Sequence, residues 1–481
     1  MSLSNPSYIQ YRDRNASEPE KKTEWMLITF FSFLGMAIIS ASFSIGDSRI
    51  FSALVLFILF FVTALGGNYQ ISWIFLASIL AANPVGRVDI FAYNLSFAIF
   101  LMIFNMRYVL DLPKWVYLPT LFAILAFIFS SINWISVDIA KSILIQTRYM
   151  LYYLMGPLFL LPIIYFRMGK SRDNVVNLKG LLFCLIIPST LMLFIAYCFG
   201  THIQSKNIDL QLPYGLMSYK LGNTVVNFNR TNVGFILSSF ICASVAIIIS
   251  RVKTLYRLLA AVCLILNFLL LLITGSVGST LACFFGLAAI FYTQLSMNNP
   301  IKFLISIMVI GCLLFLTWNL SPVGVKDYVE HRYQDRLVDK GKGINKDRFM
   351  LWGRAINYLY EHPEGVGWTQ VVGDKIKTNP HNTYLVYAVS YGIMAGMVYA
   401  YLVLRLLIYF FRKSKTMVKD PYAMAVTLAG LGVVVVVFVN SMTDHMVVSL
   451  WYFNVIWSII WYSYFCSQTD YSNSLKRDNN S

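Results

Sequence analysis

The sequence predicts an all-α, polytopic membrane protein, and three observations carry this prediction. The chain of 481 residues is 58% hydrophobic and only 12% charged, whereas soluble domains carry about 25% charged residues. Its apolar runs are long enough to cross a bilayer, which takes roughly 17–25 residues in a helix. The short loops between these runs are rich in lysine and arginine, which is typical of cytoplasmic loops.

The apolar runs define the expected membrane spans. They centre on residues 26–44, 50–66, 70–84, 89–106, 115–136, 140–166, 178–199, 231–250, 255–275, 277–296, 302–320, 383–411, 421–441 and 446–466. The third run is short, and residues 66–84 could instead be re-entrant. We therefore expect about 12 to 14 transmembrane helices.

Charge sets the expected orientation of these spans. Alternating them from a cytoplasmic amino terminus places every basic short loop inside and leaves both termini in the cytoplasm. The two long polar loops, 200–230 and 321–382, then lie outside. The predicted organisation is a polar tail over residues 1–24, a single transmembrane domain over 25–466 and a second polar tail over 467–481.

The net charge of +16 reflects this topology and does not indicate nucleic-acid binding. Much of the excess lies in short loops, which contain Arg167, Lys170, Arg172 and Lys179, then Arg251, Lys253 and Arg257, and finally Arg412, Lys413, Lys415 and Lys419. The seven cysteines lie in or at the ends of apolar runs and lack metal-ligand spacing. We therefore expect neither a disulfide framework nor a zinc site.

The long outer loop carries an amphipathic pattern. Apolar residues recur at helical spacing from Phe349 through Trp352 to Leu359. This spacing predicts a helix over about residues 347–361 that lies on the outer membrane face or caps a cavity. Pro363 and the glycines that follow it are expected to end this helix.

His381 is the first candidate for chemistry. It ends the long outer loop, directly before Asn382 and an apolar run. A neutral imidazole can accept a proton from a sugar hydroxyl near neutral pH, which is the usual task of a catalytic histidine. The alternative is an interfacial histidine that is hydrogen-bonded to water or backbone, and the residue pattern leaves both interpretations open.

Arginines are the second candidates, because a guanidinium stays charged and its forked donors suit phosphate. Arg230 lies where the first outer loop enters a span. Arg348 and Arg354 lie in the second outer loop, six residues apart, so they need not share one helix face. Arg148 lies inside the apolar run 140–166, where a charge needs a partner or a pathway. The alternatives are solvated loop charges and, for Arg148, a buried ion pair or a snorkelling side chain.

The sequence contains no Walker-type loop, no dinucleotide-binding glycine pattern and no acidic metal-binding cluster. We therefore expect no cofactor and no metal. The same absence argues against a nucleotide-driven pump and against a glycosyltransferase that takes a nucleotide sugar. A donor on the outer side must then bring its own leaving group, and a lipid diphosphate would do so.

Three segments resemble the O-antigen ligase/polymerase family of bacterial envelope glycosyltransferases, over roughly residues 130–460. The most specific segment contains Arg348, Trp352, Arg354, His362-Pro363-Glu364-Gly365-Val366-Gly367, His381-Asn382 and, after nine intervening residues, Gly392. The other two are Asn229-Arg230-Thr231-Asn232-Val233-Gly234 and Thr274-Gly275-Ser276-Val277-Gly278. Val277 replaces an arginine of the family motif and Ser390 replaces a glutamate, while Ala395 stands at the last signature position with Gly396 one step on.

The resemblance implies an all-helical glycosyltransferase of the GT-C type that works in the bacterial inner membrane without metal or nucleotide. Such enzymes take a glycan from undecaprenyl diphosphate on the periplasmic face and join it to an acceptor hydroxyl. By position, His381 would activate the acceptor hydroxyl. The diphosphate would be held by Arg230, Arg348 and Arg354, with Asn382, Asn232 and Arg148 in support. Val277 leaves one cationic position empty, which Arg348 or Arg354 would fill.

The identity of the acceptor distinguishes two possible activities within the family. A polymerase extends repeat units on the lipid carrier, and a chain-length regulator and a flippase are its expected partners. A ligase hands the finished glycan to lipid A–core in lipopolysaccharide biosynthesis. The arginine missing at Val277 slightly favours the polymerase. Outside this pair, the alternatives are a protein O-oligosaccharyltransferase and a secondary transporter of an anionic solute, although no two-half symmetry indicates a transporter.

Overall fold

The structure is a computed structural model. It describes residues 112–131, 174–187, 217–221, 224–228, 230–295, 344–365, 380–416, 420–443 and 450–468, together with residues 201–202 and isolated positions within 158–194 and 308–334. The first four predicted spans and both predicted terminal tails lie outside the described residues, apart from the first two residues of the tail 467–481.

Helices make up most of the described chain. They are α1 Lys114–Ser131, α2 Asn174–Lys179 with a π-helical continuation Gly180–Ile186, α3 Arg230–Ile249, α4 Thr254–Thr274, α5 Val277–Leu295, α6 Ile344–Glu361, α7 Thr383–Tyr391, α8 Ile393–Thr416, α9 Pro421–Thr443 and α10 Leu450–Cys466. Three short strands, β1 Thr201–His202, β2 Met217–Leu221 and β3 Thr224–Phe228, precede α3.

Four described helices are long and apolar enough to cross a membrane: α4, α5 over Val277–Gln294, α8 and α9. The apolar parts of α3 and α10 are shorter. Apolar runs fold as helices in a bilayer because a helix satisfies the backbone amides within its own segment. The prediction of an all-α polytopic membrane protein is confirmed. The count of about 12 to 14 helices and the cytoplasmic termini stay predictions.

Helix α9 lies at the centre of the described bundle. It packs against α3, α5, α8 and α10, and its side chains are buried on all sides along most of its length. Helix α4 instead presents an apolar face outward, where Leu255, Leu258 and Val262 are each more than half exposed. A helix that is apolar on its outer face suits contact with lipid.

The two ends of this bundle differ in charge. At one end, Tyr256 of α4 meets Tyr422 of α9 with ring centroids 6.5 Å apart, and Tyr292 of α5 stacks on Phe411 of α8 at 6.0 Å. This is the basic end, since the helix ends there carry Arg251, Lys253, Arg257, Arg412, Lys413 and Lys415. The opposite end is formed by the first turns of α3 and α5 and the last turn of α9, and we name it the motif end because residues 230–234 and 274–278 lie there.

The predicted span 383–411 is divided in the structure. Helix α7 ends at Tyr391 and α8 begins at Ile393, with Gly392 between them at φ 90° and ψ 159°. Glycine adopts this backbone conformation far more readily than residues that carry a Cβ atom. The two helices fold back on each other as a hairpin, in which Tyr387 stacks on Tyr399 at 4.6 Å between centroids. Helix α8 alone is the span, so the prediction of one continuous helix was wrong.

Both outer loops contain regular structure. In the second, α6 ends at Glu361, two residues before Pro363, which confirms the predicted amphipathic helix and its end. The first contains a three-stranded antiparallel sheet that was not predicted from the sequence. Leu221 of β2 pairs with Thr224 of β3, and the intervening Gly222-Asn223 is a typical hairpin dipeptide. Strand β3 ends two residues before Arg230, the first residue of α3.

Candidate functional site

His381 occupies a strained turn immediately before α7. Its φ of 48° lies in the left-handed region, and among the residues that the structure describes no other non-glycine residue has a positive φ. This conformation costs a residue with a Cβ atom on the order of 1–2 kcal/mol, and it persists where neighbouring contacts enforce it. The residue is partly exposed, so a hydroxyl group from outside the protein can approach the imidazole.

Asn382 anchors the turn on its carboxyl side. Its side-chain oxygen accepts a hydrogen bond from the backbone N–H of Leu385 at 3.1 Å and thereby caps α7. Its side-chain nitrogen donates to the carbonyl of Met442, in the last turn of α9, at 3.5 Å. The His-Asn pair is therefore attached to the central helix of the bundle.

A buried hydroxyl cluster joins the other two motif segments at the same end. The Ser279 hydroxyl of α5 donates to the Thr231 carbonyl at 3.2 Å. It accepts hydrogen bonds from the Ser276 hydroxyl at 2.9 Å and from the Asn440 side chain of α9 at 3.4 Å. Ser238 of α3 donates to the Ser279 carbonyl at 2.7 Å. These bonds hold α3, α5 and α9 in one fixed arrangement.

Gly234 permits the close approach of α3 to this cluster. A Cβ atom at Gly234 would lie 2.9 Å from both the Cβ atom of Ser276 and the hydroxyl of Ser279, which is closer than real side chains come. The start of α3 at Gly234 therefore packs directly on segment 274–278. Two segments that the sequence separates by about forty residues form one surface at the motif end.

Arg230 and Val277 each begin a helix on this surface. Arg230 is the first residue of α3 and Val277 is the first residue of α5, and the bond from Ser279 to Thr231 ties these two helix starts together. Val277 is partly exposed. The side chains of Arg230 and Asn232, and the whole of Arg148, lie outside the described part of the structure. The backbone alone thus places Arg230 beside the position where the family motif carries another arginine.

The second half of helix α6 lies alongside α7 and is fastened at two points. At the middle of α6, the indole N–H of Trp352 donates to the carbonyl of Pro380 at 2.8 Å. After the end of α6, the carbonyl of Pro363 accepts a hydrogen bond from the N–H of Ile393 at 3.0 Å. Between these two bonds the buried face of α6 packs on α7. The two helices therefore run parallel, with the middle of α6 beside the start of α7.

Gly365 and Gly392 permit the second of these attachments, the hydrogen bond between Pro363 and Ile393. Both glycines have positive φ values, 85° and 90°. A Cβ atom on Gly392 would lie 2.8 Å from the carbonyl oxygen of Glu364, and one on Gly365 would collide with the backbone of Gly392. The turn after α6 can meet the α7–α8 turn because both positions lack a side chain. The nine residues between the His-Asn pair and Gly392 are the 9 residues of α7.

Acidic side chains gather at the carboxyl end of α6. The Nδ1 atom of His362 lies 3.3 Å from Oε1 of Glu364, and both side chains are partly exposed. Burial, followed by the negative charges of Glu361 and Glu364, raises the pKa of Tyr358. Its phenol therefore stays protonated at neutral pH, which does not favour Tyr358 as a general base.

The two loop arginines lie on different sides of α6. Arg348 precedes Trp352 by four residues, and residues four apart share one face of a helix. Arg348 is partly buried there, near the start of α7. Arg354 is two residues beyond Trp352, or about 200° around the helix; it is exposed, and its guanidinium contacts the Met350 sulfur at 3.9 Å. The expectation that they need not share a face agrees with this placement.

Three contributors to this arrangement were not singled out as site residues from the sequence: Ser279, Trp352 and Asn440. The sequence could have indicated Asn440, because this residue interrupts a long apolar run. Polar residues inside membrane spans are energetically costly unless they have a role. The bonding of Ser279 and Trp352 depends on contacts between distant segments. Within the described residues, no group of three or more His, Cys, Asp or Glu side chains could hold a metal ion.

Comparison with protein families identifies the central part of the chain. Residues 259–400 match a family model that is described as O-antigen ligase. This part of the chain is similar to the O-antigen ligase family. The matched segment, the O-antigen ligase domain, runs from α4 into α8 and includes Val277, Arg348, Trp352 and His381. No curated protein matches the chain.

The O-antigen ligase domain confirms the family resemblance that the motifs indicated. It supports a ligase- or polymerase-type enzyme of surface-polysaccharide synthesis, which uses a lipid-linked glycan donor and an acceptor in a membrane. The helices of spanning length agree with a multi-pass membrane protein. Arg230 and Asn440 lie outside the matched segment, although the hydroxyl cluster attaches their helices to it.

Proposed function

We propose that this protein is an inner-membrane glycosyltransferase. It would join a glycan carried on undecaprenyl diphosphate to an acceptor hydroxyl at the periplasmic face, in surface-polysaccharide biosynthesis. The observation that supports the proposal is the meeting of segments 230–234, 274–278 and 380–392 at the motif end. A polar surface at one end of an apolar bundle suits a substrate with a lipid tail and a charged headgroup.

His381 is proposed as the general base. The acceptor oxygen attacks the anomeric carbon of the donor sugar, and the bond between that carbon and the diphosphate oxygen breaks. The diphosphate leaves with the electron pair, while the imidazole takes the proton of the acceptor hydroxyl. Asn382 supports this role by capping α7 and anchoring it to α9. The scheme uses no metal, cofactor or covalent intermediate.

The arginines are proposed to hold the diphosphate, whose negative charge grows as the glycosidic bond breaks. Arg348 lies on the face of α6 that docks beside the start of α7, and Arg230 begins α3. Arg354 completes the set from the outer side of α6, with Asn232 and Arg148 in support. The starts of α3 and α5 add backbone N–H groups that favour negative charge.

The proposed orientation follows from the charge of the bundle. The basic end carries cationic residues from two separate loops, and such residues concentrate on the cytoplasmic side of a membrane. The motif end then faces the periplasm. This side of the membrane is where a finished lipid-linked glycan would be joined to its acceptor.

For the acceptor, we propose a growing chain of repeat units, which makes the enzyme a polymerase. Val277 in place of a motif arginine supports this choice over the ligase. A flippase and a chain-length regulator would be its partners. A deletion strain tests the choice, because loss of a polymerase leaves lipid A–core with a single repeat unit or abolishes capsule. Bare core with glycan stranded on the carrier would instead identify a ligase.

The enzyme itself is tested by His381→Ala. Because general-base catalysis contributes roughly 10²–10⁴-fold, the variant should lose glycan transfer at a normal protein level. The control is His362→Ala, which alters a partly exposed histidine of the same loop and should retain transfer. Undiminished transfer by the His381→Ala protein would refute the base assignment. Purified wild-type protein that transports an anion but joins no glycan would contradict the glycosyltransferase.

A further inference from the structure

The peptide group before His381 is held by a side chain from the outer loop. The carbonyl of Pro380 accepts the hydrogen bond from the indole N–H of Trp352 at 2.8 Å. This carbonyl belongs to the planar peptide group that ends at the nitrogen of His381. On the other side of His381, Asn382 is bonded to α9. His381 therefore lies between an attachment to the outer-loop helix α6 and an attachment to helix α9 of the membrane bundle.

These two attachments bear directly on the direction of the imidazole. The φ angle of His381, 48°, is the rotation of the preceding peptide plane relative to the Cα atom that carries the side chain. A non-glycine residue does not stay in this region unless its surroundings hold it there. Fixing the Pro380 carbonyl on one side and Asn382 on the other supplies such a restraint.

The indole of Trp352 makes this contact through its N–H group. Tryptophan has one side-chain donor, and phenylalanine has none. The ring itself meets Phe349 edge-on, with centroids 5.4 Å apart, a contact that another aromatic ring can replace. The hydrogen bond and the packing of Trp352 can therefore be separated by substitution.

We propose that Trp352 is a positioning residue that orients the imidazole of His381. Its indole N–H holds the Pro380–His381 peptide group in the left-handed turn, so the docking of α6 sets the direction of the imidazole. The effect on catalysis rests on the proposed role of His381 as base, whereas the effect on the geometry of His381 does not. Trp352 itself need not touch the substrate.

The geometric part is tested by the reactivity of His381 in the full-length protein. Diethyl pyrocarbonate modifies exposed imidazoles, and mass spectrometry reports the rate at His381 relative to His362 in the same molecule. The variants are Trp352→Phe and replacement of Trp352 by 3-benzothienylalanine, which keeps the shape of indole without its N–H. We expect a several-fold change of the ratio in both. Tyr360→Phe, an exposed aromatic on the same helix, is the control and should leave the ratio unchanged.

The catalytic part is tested by steady-state transfer with the same proteins. A misdirected base lowers kcat by roughly 10- to 100-fold and leaves the KM for the lipid-linked donor unchanged. General loosening of α6 would displace Arg348 as well and would raise that KM. The 3-benzothienylalanine variant distinguishes these effects because it preserves packing.

The outcomes separate this inference from the proposed function. Wild-type labelling ratios in both Trp352 variants would overturn the inference, even if His381→Ala abolishes transfer. A rise in donor KM without a fall in kcat would also overturn it. A changed labelling ratio supports the positioning role, and if His381→Ala nevertheless retains transfer, the base assignment is what fails.

Discussion

At the scale of single residues, the placement of Arg348 and Arg354 on different faces of α6 gives them different expected effects. Hydrogen bonds to charged groups contribute about 1.5–3 kcal/mol, so Arg348→Ala should raise the KM for the lipid-linked donor by roughly 10- to 100-fold. Arg354→Ala should raise it less, since its guanidinium is exposed and contacts Met350. Arg412→Ala, at the basic end, should leave it unchanged. Initial rates of glycan transfer by purified protein provide the measurement.

A substitution at Val277 provides a second test of the role of Arg348. It begins α5 beside the start of α3 and is partly exposed, so an arginine there can reach solvent. Val277→Arg introduced into the Arg348→Ala protein should recover part of the lost donor affinity. Equal losses from Arg348→Ala and Arg354→Ala, or no recovery at normal protein level, would argue that Arg348 does not fill the vacant cationic position.

At the scale of elements, the α7–α8 turn should be far more sensitive to a methyl group than the middle of α6. Gly392→Ala places a Cβ atom at φ 90° and 2.8 Å from the Glu364 carbonyl oxygen, so it should destabilise the protein by about 1–3 kcal/mol. Gly353→Ala is the matched control, because nothing lies within 4 Å of that Cβ atom. It should be neutral or stabilising by up to about 1 kcal/mol. Thermal unfolding in detergent measures both, and equal midpoints would contradict the close contact.

The outward face of α6 bears on the two positions that its sequence allowed. Phe349, Ile356 and Tyr360 form one stripe and are 63%, 43% and 84% exposed, while an adjacent face packs on α7. We predict that this stripe enters the outer leaflet. Spin labels at Ile356 and Tyr360 in nanodiscs should be more accessible to oxygen than to a water-soluble nickel chelate, with the reverse at Asn357 and Glu361. High nickel accessibility at all four positions would instead favour a helix surrounded by water.

At the scale of the whole molecule, local and long-range features differed in how well the sequence predicted them. Helix α6 and its end followed from apolar spacing and Pro363, because both signals act within a few residues. Hydropathy did not predict the helix break at Gly392, because it carries no information on backbone φ angles. The segments on both sides of the glycine belong to one apolar run. The cluster around Ser279 joins three helices, and no periodicity of a single segment encodes such a contact.

The charge difference between the two ends of the bundle also predicts which end a membrane-impermeant reagent should label first. We expect the basic end in the cytoplasm by the positive-inside rule, which would place α6 and His381 outside. The exposed Cys312 is first changed to serine, and single cysteines are then placed at Glu361 and Lys415, which are both exposed. In spheroplasts, a membrane-impermeant maleimide should label Glu361→Cys at once and Lys415→Cys only after permeabilisation. The reverse order would place His381 on the cytoplasmic side, where no periplasmic acceptor could reach it, and the proposed function would fail with it.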